Sequence, residues 1–294
     1  MKGPSPPSTT PFHLPVNWDG PHFINLAVLD VRDGKHGFSD SGKHFTRFYR
    51  RCNKFADELK IGKGYAVLEK VAEDHRLPKF APLSYAQHRF ASSAFSQWTA
   101  VFKGYAAFCK AFDEMNPECK NYETLQYILK GFDLVVDLIC FMDIFEPLKL
   151  TMEACQSLAS TPWKTHKYVK QLAEFFDSMN FREKVGTPYV RKHLHEVVTE
   201  NTFQGVTLIE GYLVTDEHQV EVEEDFIAGS RSRGTLQQRK KKKTVINWMS
   251  RELNDCLEDN AQLTSDLSIS LKNRLVKCSH PAMVMLSECL DLSH

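Results

Sequence analysis

Apolar residues recur every three or four positions along most of the chain, which is the spacing of an amphipathic α-helix. The pattern predicts helices over residues 23–31, 45–59, 65–74, 87–115, 189–199 and 246–275. Residues 122–146 are apolar on nearly every side, which predicts a central helix that ends at Pro147. A further helix, broken near Pro162, is predicted over residues 148–176. The chain is therefore predicted to be mainly α-helical.

Two segments depart from the helical spacing. Residues 33–42 are crowded with Gly, Asp and Ser, which predicts a loop. Apolar and polar residues alternate on either side of Glu210 and Gly211, which indicates a hairpin or extended arm. We therefore expect at most a small β element near residues 206–223.

The charge pattern divides the chain into segments. Residues 1–16 are rich in Pro, Ser and Thr and predict a disordered leader. A helical domain is predicted over 17–215, followed by a linker over 216–244 that is first acidic and then basic. Residues 245–294 are predicted to form a long amphipathic helix and a truncated C-terminal element.

Composition excludes several classes of protein. Hydrophobic residues make up 42% of the chain and charged residues 25%, which is typical of a folded globular protein. The formal net charge is +0, which argues against a uniformly basic nucleic-acid binder but permits a local basic patch. Asp133, Asp137 and Asp143 interrupt the longest apolar segment, so no membrane partner is predicted.

The cysteines and histidines do not predict a metal site. Eight cysteines are scattered without the spacing of a zinc knuckle, so we expect reduced thiols, with Cys140 and Cys256 in the core. Two clusters contain residue types that bind zinc, but neither supplies the four ligands of a tetrahedral site. They are His193, His195 and Glu196, and Cys278 with His280. The sequence accordingly predicts no metal and no cofactor.

The largest concentration of charge is a basic run in the predicted linker. It consists of Arg239, Lys240, Lys241, Lys242 and Lys243, with Arg231 and Arg233 shortly before it. Such a run is typical of a nuclear-import signal or a nucleic-acid patch, and also of a solvated loop. Binding to phosphate through this run would depend on salt and not on base sequence. We predict a nuclear protein, with DNA as one candidate partner.

Three short motifs, in this order, resemble hAT-superfamily transposases and host proteins derived from them. His22, Asn25 and Leu26 resemble the family's Cys-x-x-His-x-Leu-Asn-Leu signature, with Asp19 in place of the Cys. Residues 87–93 resemble its Thr-Arg-Trp segment, with Phe90 in place of the Trp. Residues 271–291 resemble the segment before its Leu-Asp-Pro-Arg stretch, with Leu292 and Ser293 in place of Pro-Arg.

The resemblance implies a ribonuclease-H-like fold, of which this chain would supply the helical insertion region. It also implies that Arg89 and Phe90 contact DNA, with the Phe90 ring stacked on a base. The family cuts DNA with two Asp and one Glu that hold two metal ions. These ions stabilise the attacking and the leaving oxygen, so the loss of one carboxylate disrupts catalysis. In sequences of the family, both Asp residues come before the motif that His22 matches, and the Glu comes after the last matched segment. The resemblance therefore predicts a catalytically inactive protein.

Three functions remain open at this point. The first is a transposase-derived, nuclear binding protein that contacts nucleic acid through the basic run and through Arg89 and Phe90. The second is a truncated fragment of a DNA-cutting transposase. The third is a helical protein-interaction module, in which the long C-terminal helix mediates self-association or binds a helical partner. If Phe90 instead begins a buried stripe along its helix, the third function is favoured.

Overall fold

The computed structural model describes residues 19–78, 80, 90–115, 122–157, 161–209 and 245–278, and most of them are helical. This confirms the prediction of a mainly α-helical chain. The helices are α1 (Gly20–Arg32), α2 (Ser39–Lys60), α3 (Gly62–Asp74), α4 (Phe90–Glu114), α5 (Tyr122–Leu129), α6 (Phe132–Gln156), α7 (Pro162–Ser178), α8 (Pro188–Glu200) and α9 (Val245–Cys278). A 3-10 turn covers Lys35–Gly37, and strands β1 (Thr202–Phe203) and β2 (Val206–Thr207) form a hairpin.

Helix α6 lies at the centre of the bundle because it is apolar on nearly every side. Its residues 132–145 are all buried, and α1, α4, α7, α8 and α9 pack around it. Aromatic rings fill much of the space between α6, α2 and α4. Phe141 of α6 stacks on Phe48 of α2 with 4.1 Å between ring centroids, and it meets Trp98 of α4 edge-on at 5.1 Å. The predicted central helix is thus confirmed.

The predicted helix over residues 122–146 begins where α5 begins, but it is interrupted, and its predicted end is wrong. A break at Lys130 and Gly131 separates α5 from α6, because the backbone there pairs with Ile209: Phe132 N–H donates to Ile209 O at 3.0 Å, and Ile209 N–H donates to Lys130 O at 2.9 Å. At the other end, α6 continues through Pro147 to Gln156. Proline in a helix interior costs roughly 3 kcal/mol, and burial of Leu148 and Met152 beyond it offsets that cost.

The predicted loop needs correction, and the structure adds a hairpin turn that was not predicted. Residues 39–42 belong to the first turn of α2, where Gly42 N–H donates to Phe38 O at 2.9 Å, so the loop is shorter than expected. The hairpin turns at Gln204 and Gly205, both with positive φ, as a two-residue type I′ turn requires. The turn expected at Glu210 and Gly211 lies outside the described residues.

Helix α9 packs into the same core as the helices before it. It contacts α7, α1, α6 and α2, and Leu263, Leu267 and Leu271 are fully buried along its inner face. The predicted helix over residues 246–275 is confirmed. The predicted leader over 1–16, the linker over 216–244 and the element after Cys278 lie outside the described residues.

Within the described ranges, no helix is both long and apolar enough to cross a membrane. The β structure of those ranges is the β1–β2 hairpin and two isolated bridges. The finer assignment, to the helical insertion of a ribonuclease-H-like fold, stays a prediction.

Candidate nucleic-acid interface and buried polar centre

Asn25, from the first motif, joins α1 to the start of α4. Its side chain is buried, and its Oδ1 accepts the backbone N–H of Ala91 at 3.0 Å. The first N–H groups of a helix have no partner within the helix, so this contact satisfies one of them. His22 is exposed on α1, and Leu26 is half-buried. The structure thus gives Asn25 a defined role in packing.

Phe90, from the second motif, is the first residue of α4 and is 0% exposed. Its ring lies 5.7 Å from the ring of Phe45 and 5.5 Å from that of Tyr49. The guanidinium carbon of Arg32 lies 4.7 Å from its centroid, within the range of a cation–π contact. A buried ring offers no face to a base, so this geometry supports the alternative that Phe90 begins a buried stripe. Arg89 lies outside the described residues.

The basic run, Arg239 to Lys243, also lies outside the described residues. The run ends two residues before Val245, the first residue of α9. Helix α9 is buried on its inner face from Glu252 onward.

A set of charged and polar side chains lies between α2, α6 and α9, with Asp259 at its exposed edge, and we call it the polar centre. Its members are His44, Arg47, Arg51, Asp133, Asp137, Asp259 and Asn260. At one end, Arg51 Nη1 donates to Asp133 Oδ2 at 2.6 Å, and both side chains are buried. Asp133 Oδ1 also accepts the backbone N–H of Leu134 at 2.8 Å.

At the other end of the polar centre, Asp137 of α6 is 1% exposed and accepts Asn260 Nδ2–H at 3.0 Å. His44 Nε2 lies 3.8 Å from the same carboxylate oxygen. Arg47 Nη2 lies 2.9 Å from His44 Nδ1 and donates to Asp259 Oδ2 at 3.0 Å. Arginine can only donate, so this contact is a hydrogen bond only when His44 is neutral and carries its proton on Nε2.

Burial and neighbouring charges shift the pKa values in the polar centre. Burial raises the pKa of Asp137, and His44 and Arg47 oppose that shift. Burial lowers the pKa of Arg51, but Asp133 outweighs it and the net pKa is raised. Burial also raises the pKa of the Cys256 thiol well above its usual range. Thiols with a raised pKa form little thiolate, so this cysteine is suited to packing and not to nucleophilic chemistry.

Two further buried carboxylates join elements of the bundle. Asp143 of α6 accepts the backbone N–H groups of Tyr189 and Val190, at 2.8 and 2.9 Å, and so caps the start of α8. Burial raises the pKa of Asp143 to about 7, although these two contacts act in the opposite direction. Asp30 of α1 accepts Arg274 Nε–H of α9 at 2.8 Å.

These carboxylates bind helices together and do not converge on a metal. Among the residues that the structure describes, no group of three or more His, Cys, Asp or Glu side chains could hold a metal ion. Cys140 and Cys256 are buried and free, as predicted. Of the sequence-predicted DNA residues, only Phe90 is described, and the structure does not bring it to the surface.

The sequence analysis missed the polar centre, although part of the signal was visible. Asp133 and Asp137 are four residues apart in a helix that is otherwise apolar all round, so they share one face. Charges at such positions need buried partners, which indicates cations on the helices packed against them. The identity of those partners depends on the packing of α2 and α9, which the sequence does not display.

Comparison with known proteins gives no match: no protein-family model, no curated protein and no solved structure matches this chain. The resemblance to hAT transposases therefore stays a prediction.

Proposed function

We propose that the chain is a non-catalytic, nuclear scaffold that binds nucleic acid through the basic run that precedes α9. The observation that carries the proposal is a run of five consecutive cations directly before a helix whose inner face is buried in the core. Five adjacent cations can neutralise several phosphates, and the counterions that are released favour binding.

Three arginines of the bundle are weaker candidates for a nucleic-acid contact than this run. Arg47, Arg51 and Arg274 are already matched by Asp259, Asp133 and Asp30. Since cations paired with carboxylates attract phosphate less strongly, these arginines are poor candidates for a nucleic-acid contact. The basic run has the highest density of positive charge in a chain whose net charge is +0.

The transposase-like origin and the absence of catalysis are parts of the same proposal. The resemblance supports a DNA-related, nuclear ancestry, while none of its three catalytic carboxylates is matched by a residue of this sequence. Purified protein incubated with supercoiled plasmid and magnesium or manganese should leave the plasmid intact. Nicking that is abolished by mutation of Asp19, Glu288 or Asp291 would contradict the proposal.

The test of binding is a salt series with labelled single-stranded and duplex DNA. Each phosphate contact contributes about 0.9 to the slope of log K against log salt on duplex DNA, so alanine at Lys240, Lys241, Lys242 and Lys243 should lower that slope by up to about 3.6. The matched control replaces four exposed lysines of the bundle with alanine and should leave the slope nearly unchanged. Those four are Lys60, Lys63, Lys70 and Lys192. Equal effects of the two quadruple variants would refute a specific role for the run.

Nuclear import is tested separately with a fluorescent fusion too large to diffuse through nuclear pores. Alanine at the same four lysines of the run should abolish nuclear accumulation, and the control variant should not. Unchanged accumulation would refute the role of the run in nuclear import. The result of the DNA-binding test would still stand.

A further inference from the structure

Asp137 of the polar centre is a buried acid that pairs with no arginine or lysine of the described residues. It is 1% exposed, and its polar contacts within those residues are Asn260 Nδ2–H at 3.0 Å and His44 Nε2 at 3.8 Å. The Asn260 amide is uncharged. His44 is also uncharged whenever its Nδ1 accepts the contact from Arg47, because only a neutral imidazole has an acceptor nitrogen. Neither neighbour then neutralises a negative charge on Asp137.

The two arginines of the polar centre are matched by other acids. Arg51 Nη1 lies 2.6 Å from Asp133 Oδ2, and Arg47 Nη2 lies 3.0 Å from Asp259 Oδ2. With Asp137, three acids therefore surround two guanidinium groups. A buried charge without a partner is so costly that the group usually changes its protonation state instead. The charge count favours one extra proton in the polar centre, on the acid that has no arginine.

The other titratable groups near Asp137 do not supply a positive charge. Burial raises the pKa of three neighbouring thiols, those of Cys52 on α2, Cys140 on α6 and Cys256 on α9, so they stay protonated and neutral. Glu252 of α9, which is also buried, adds a further acid near Cys256. The excess of acids around Asp137 therefore remains.

Asn260 of α9 presents an acceptor that such a proton satisfies. Its Nδ2 donates to Asp137 Oδ1 at 3.0 Å and to the backbone oxygen of Cys256 at 2.8 Å, so these two acceptors fix the orientation of the amide. Its Oδ1 is buried and has no hydrogen-bond partner among the described residues. A carboxyl O–H on Asp137 is a donor on the same group that the Asn260 amide already contacts. The two side chains can then form a carboxylic acid–amide pair, with one hydrogen bond in each direction.

We propose that Asp137 keeps its proton in the folded protein at neutral pH, and that this carboxylic acid–amide pair makes the docking of α9 on α6 dependent on pH. Loss of the proton leaves an unpaired charge between the two helices and removes the donor for Asn260 Oδ1, and both effects weaken the contact. The proposal is independent of the nucleic-acid role.

The direction of the pH dependence follows from the binding of the proton. Burial raises the pKa of Asp137 against the opposing effects of His44 and Arg47, which agrees with the geometry. The folded state therefore binds this proton more tightly than the unfolded chain does. The resulting contribution to stability is fully present below the ordinary pKa of an aspartate, and it is lost as pH rises through the pKa of the folded state.

Asp137→Asn tests for the proton, because an amide has the donor and the acceptor of a protonated carboxyl but does not ionise. Unfolding constants of the wild type and the variant are measured in urea over a pH series, and their ratio removes the titration of groups that both proteins share. The constant of the wild type should rise relative to that of the variant, by up to about tenfold per pH unit above about pH 4, and then level off. A ratio that does not change with pH would overturn the proposal.

The matched control is Asp133→Asn, the same change one turn earlier on the same face of α6. Asp133 has a cation, so its replacement leaves Arg51 buried without a partner and should make the protein less stable than the wild type at neutral pH. The two variants should thus shift stability in opposite directions at neutral pH. Destabilisation by both would show that Asp137 is also ionised and paired, which contradicts the proposal.

Nuclear magnetic resonance detects the proton without any variant. The carbon-13 shift of the Asp137 carboxyl, assigned in the wild-type protein, should have the value of a protonated acid at neutral pH, and an ionised value there would overturn the proposal. Hydrogen exchange then tests the link to α9. After correction for the intrinsic pH dependence of exchange, the α9 amides around Asn260 should lose protection with rising pH in the wild type but keep it in Asp137→Asn. Equal loss of protection in the two proteins would refute the role of Asp137 in holding α9.

Discussion

Replacing Arg51 with methionine should destabilise the protein strongly, because it leaves a carboxylate buried without its cation. Arg51 is 7% exposed, and its Nη1 lies 2.6 Å from Asp133 Oδ2. Breaking a buried ion pair by removing one partner typically destabilises a protein by ~3–5 kcal/mol. Since domains are stable by only ~5–15 kcal/mol, this is a large part of the free energy of unfolding. Urea unfolding followed by far-ultraviolet circular dichroism measures the change.

A second substitution isolates the charge effect from the loss of packing. Asp133→Asn keeps an oxygen for the Leu134 N–H contact but removes the negative charge. The double variant Arg51→Met/Asp133→Asn should therefore be more stable than Arg51→Met alone, by at least ~1 kcal/mol. Arg251→Met, which breaks an exposed pair with Asp255, is the surface control and should change stability by less than ~1 kcal/mol. Equal losses for Arg51→Met and Arg251→Met would refute a buried ion pair.

Three further predictions concern single elements. Phe90→Ala should lower the free energy of unfolding by ~3–5 kcal/mol because the ring is fully buried, and an unchanged melting temperature would contradict its place in the core. Gly64→Ala should destabilise the start of α3, since a Cβ there would lie 2.0 Å from the backbone oxygen of Glu58; thermal melts should show no such loss for Lys63→Ala. The raised pKa of Asp143, about 7 against an ordinary 3.8, means that the folded state binds its proton more tightly, so this group's contribution to stability falls as pH rises from about 4 to 7. Asp143→Asn should flatten that part of a stability–pH profile, and an unaltered slope would contradict the assignment.

Helices that bury one stripe of residues could be predicted from the sequence alone. In α8, Val190, Leu194 and Val197 are buried, and they recur at the spacing from which that helix was predicted. The same holds for the inner face of α9, which runs through Leu263, Leu267 and Leu271. Their positions follow from local spacing, because the periodicity of a helix is the same wherever its partner lies.

Features that depend on distant contacts could not be predicted. The break between α5 and α6 is stabilised by Ile209, more than seventy residues away in the chain. The residues around the break do not themselves predict it. The continuation of α6 through Pro147 depends on the burial of Leu148 and Met152 against other elements. The hairpin turn at Gln204 and Gly205 carries Gln at its first position instead of the usual Asn or Asp, so the sequence gives only a weak local signal for it.

The polar centre shows the same limit for side chains. Its acids on α6 were visible as Asp133 and Asp137, but they served only to argue against a membrane span. Their partners include Arg51, 82 positions before Asp133, and Asn260, 123 positions after Asp137. Only the packing of α2 and α9 against α6 brings these groups within hydrogen-bond distance. Sequence reasoning could predict that partners exist but not which residues they are.

Two residues of the family-like motifs, Asn25 of the first and Phe90 of the second, are explained by packing. Asn25 satisfies the N–H of Ala91, and Phe90, the residue just before Ala91, is buried under Arg32 and beside Phe45. Both residues therefore act at one junction between α1 and α4. A base could reach the Phe90 ring only if this junction opened, which would break the Asn25 contact and expose the ring. Binding through the basic run requires no such opening, so the nucleic-acid proposal depends on the basic run and not on Phe90.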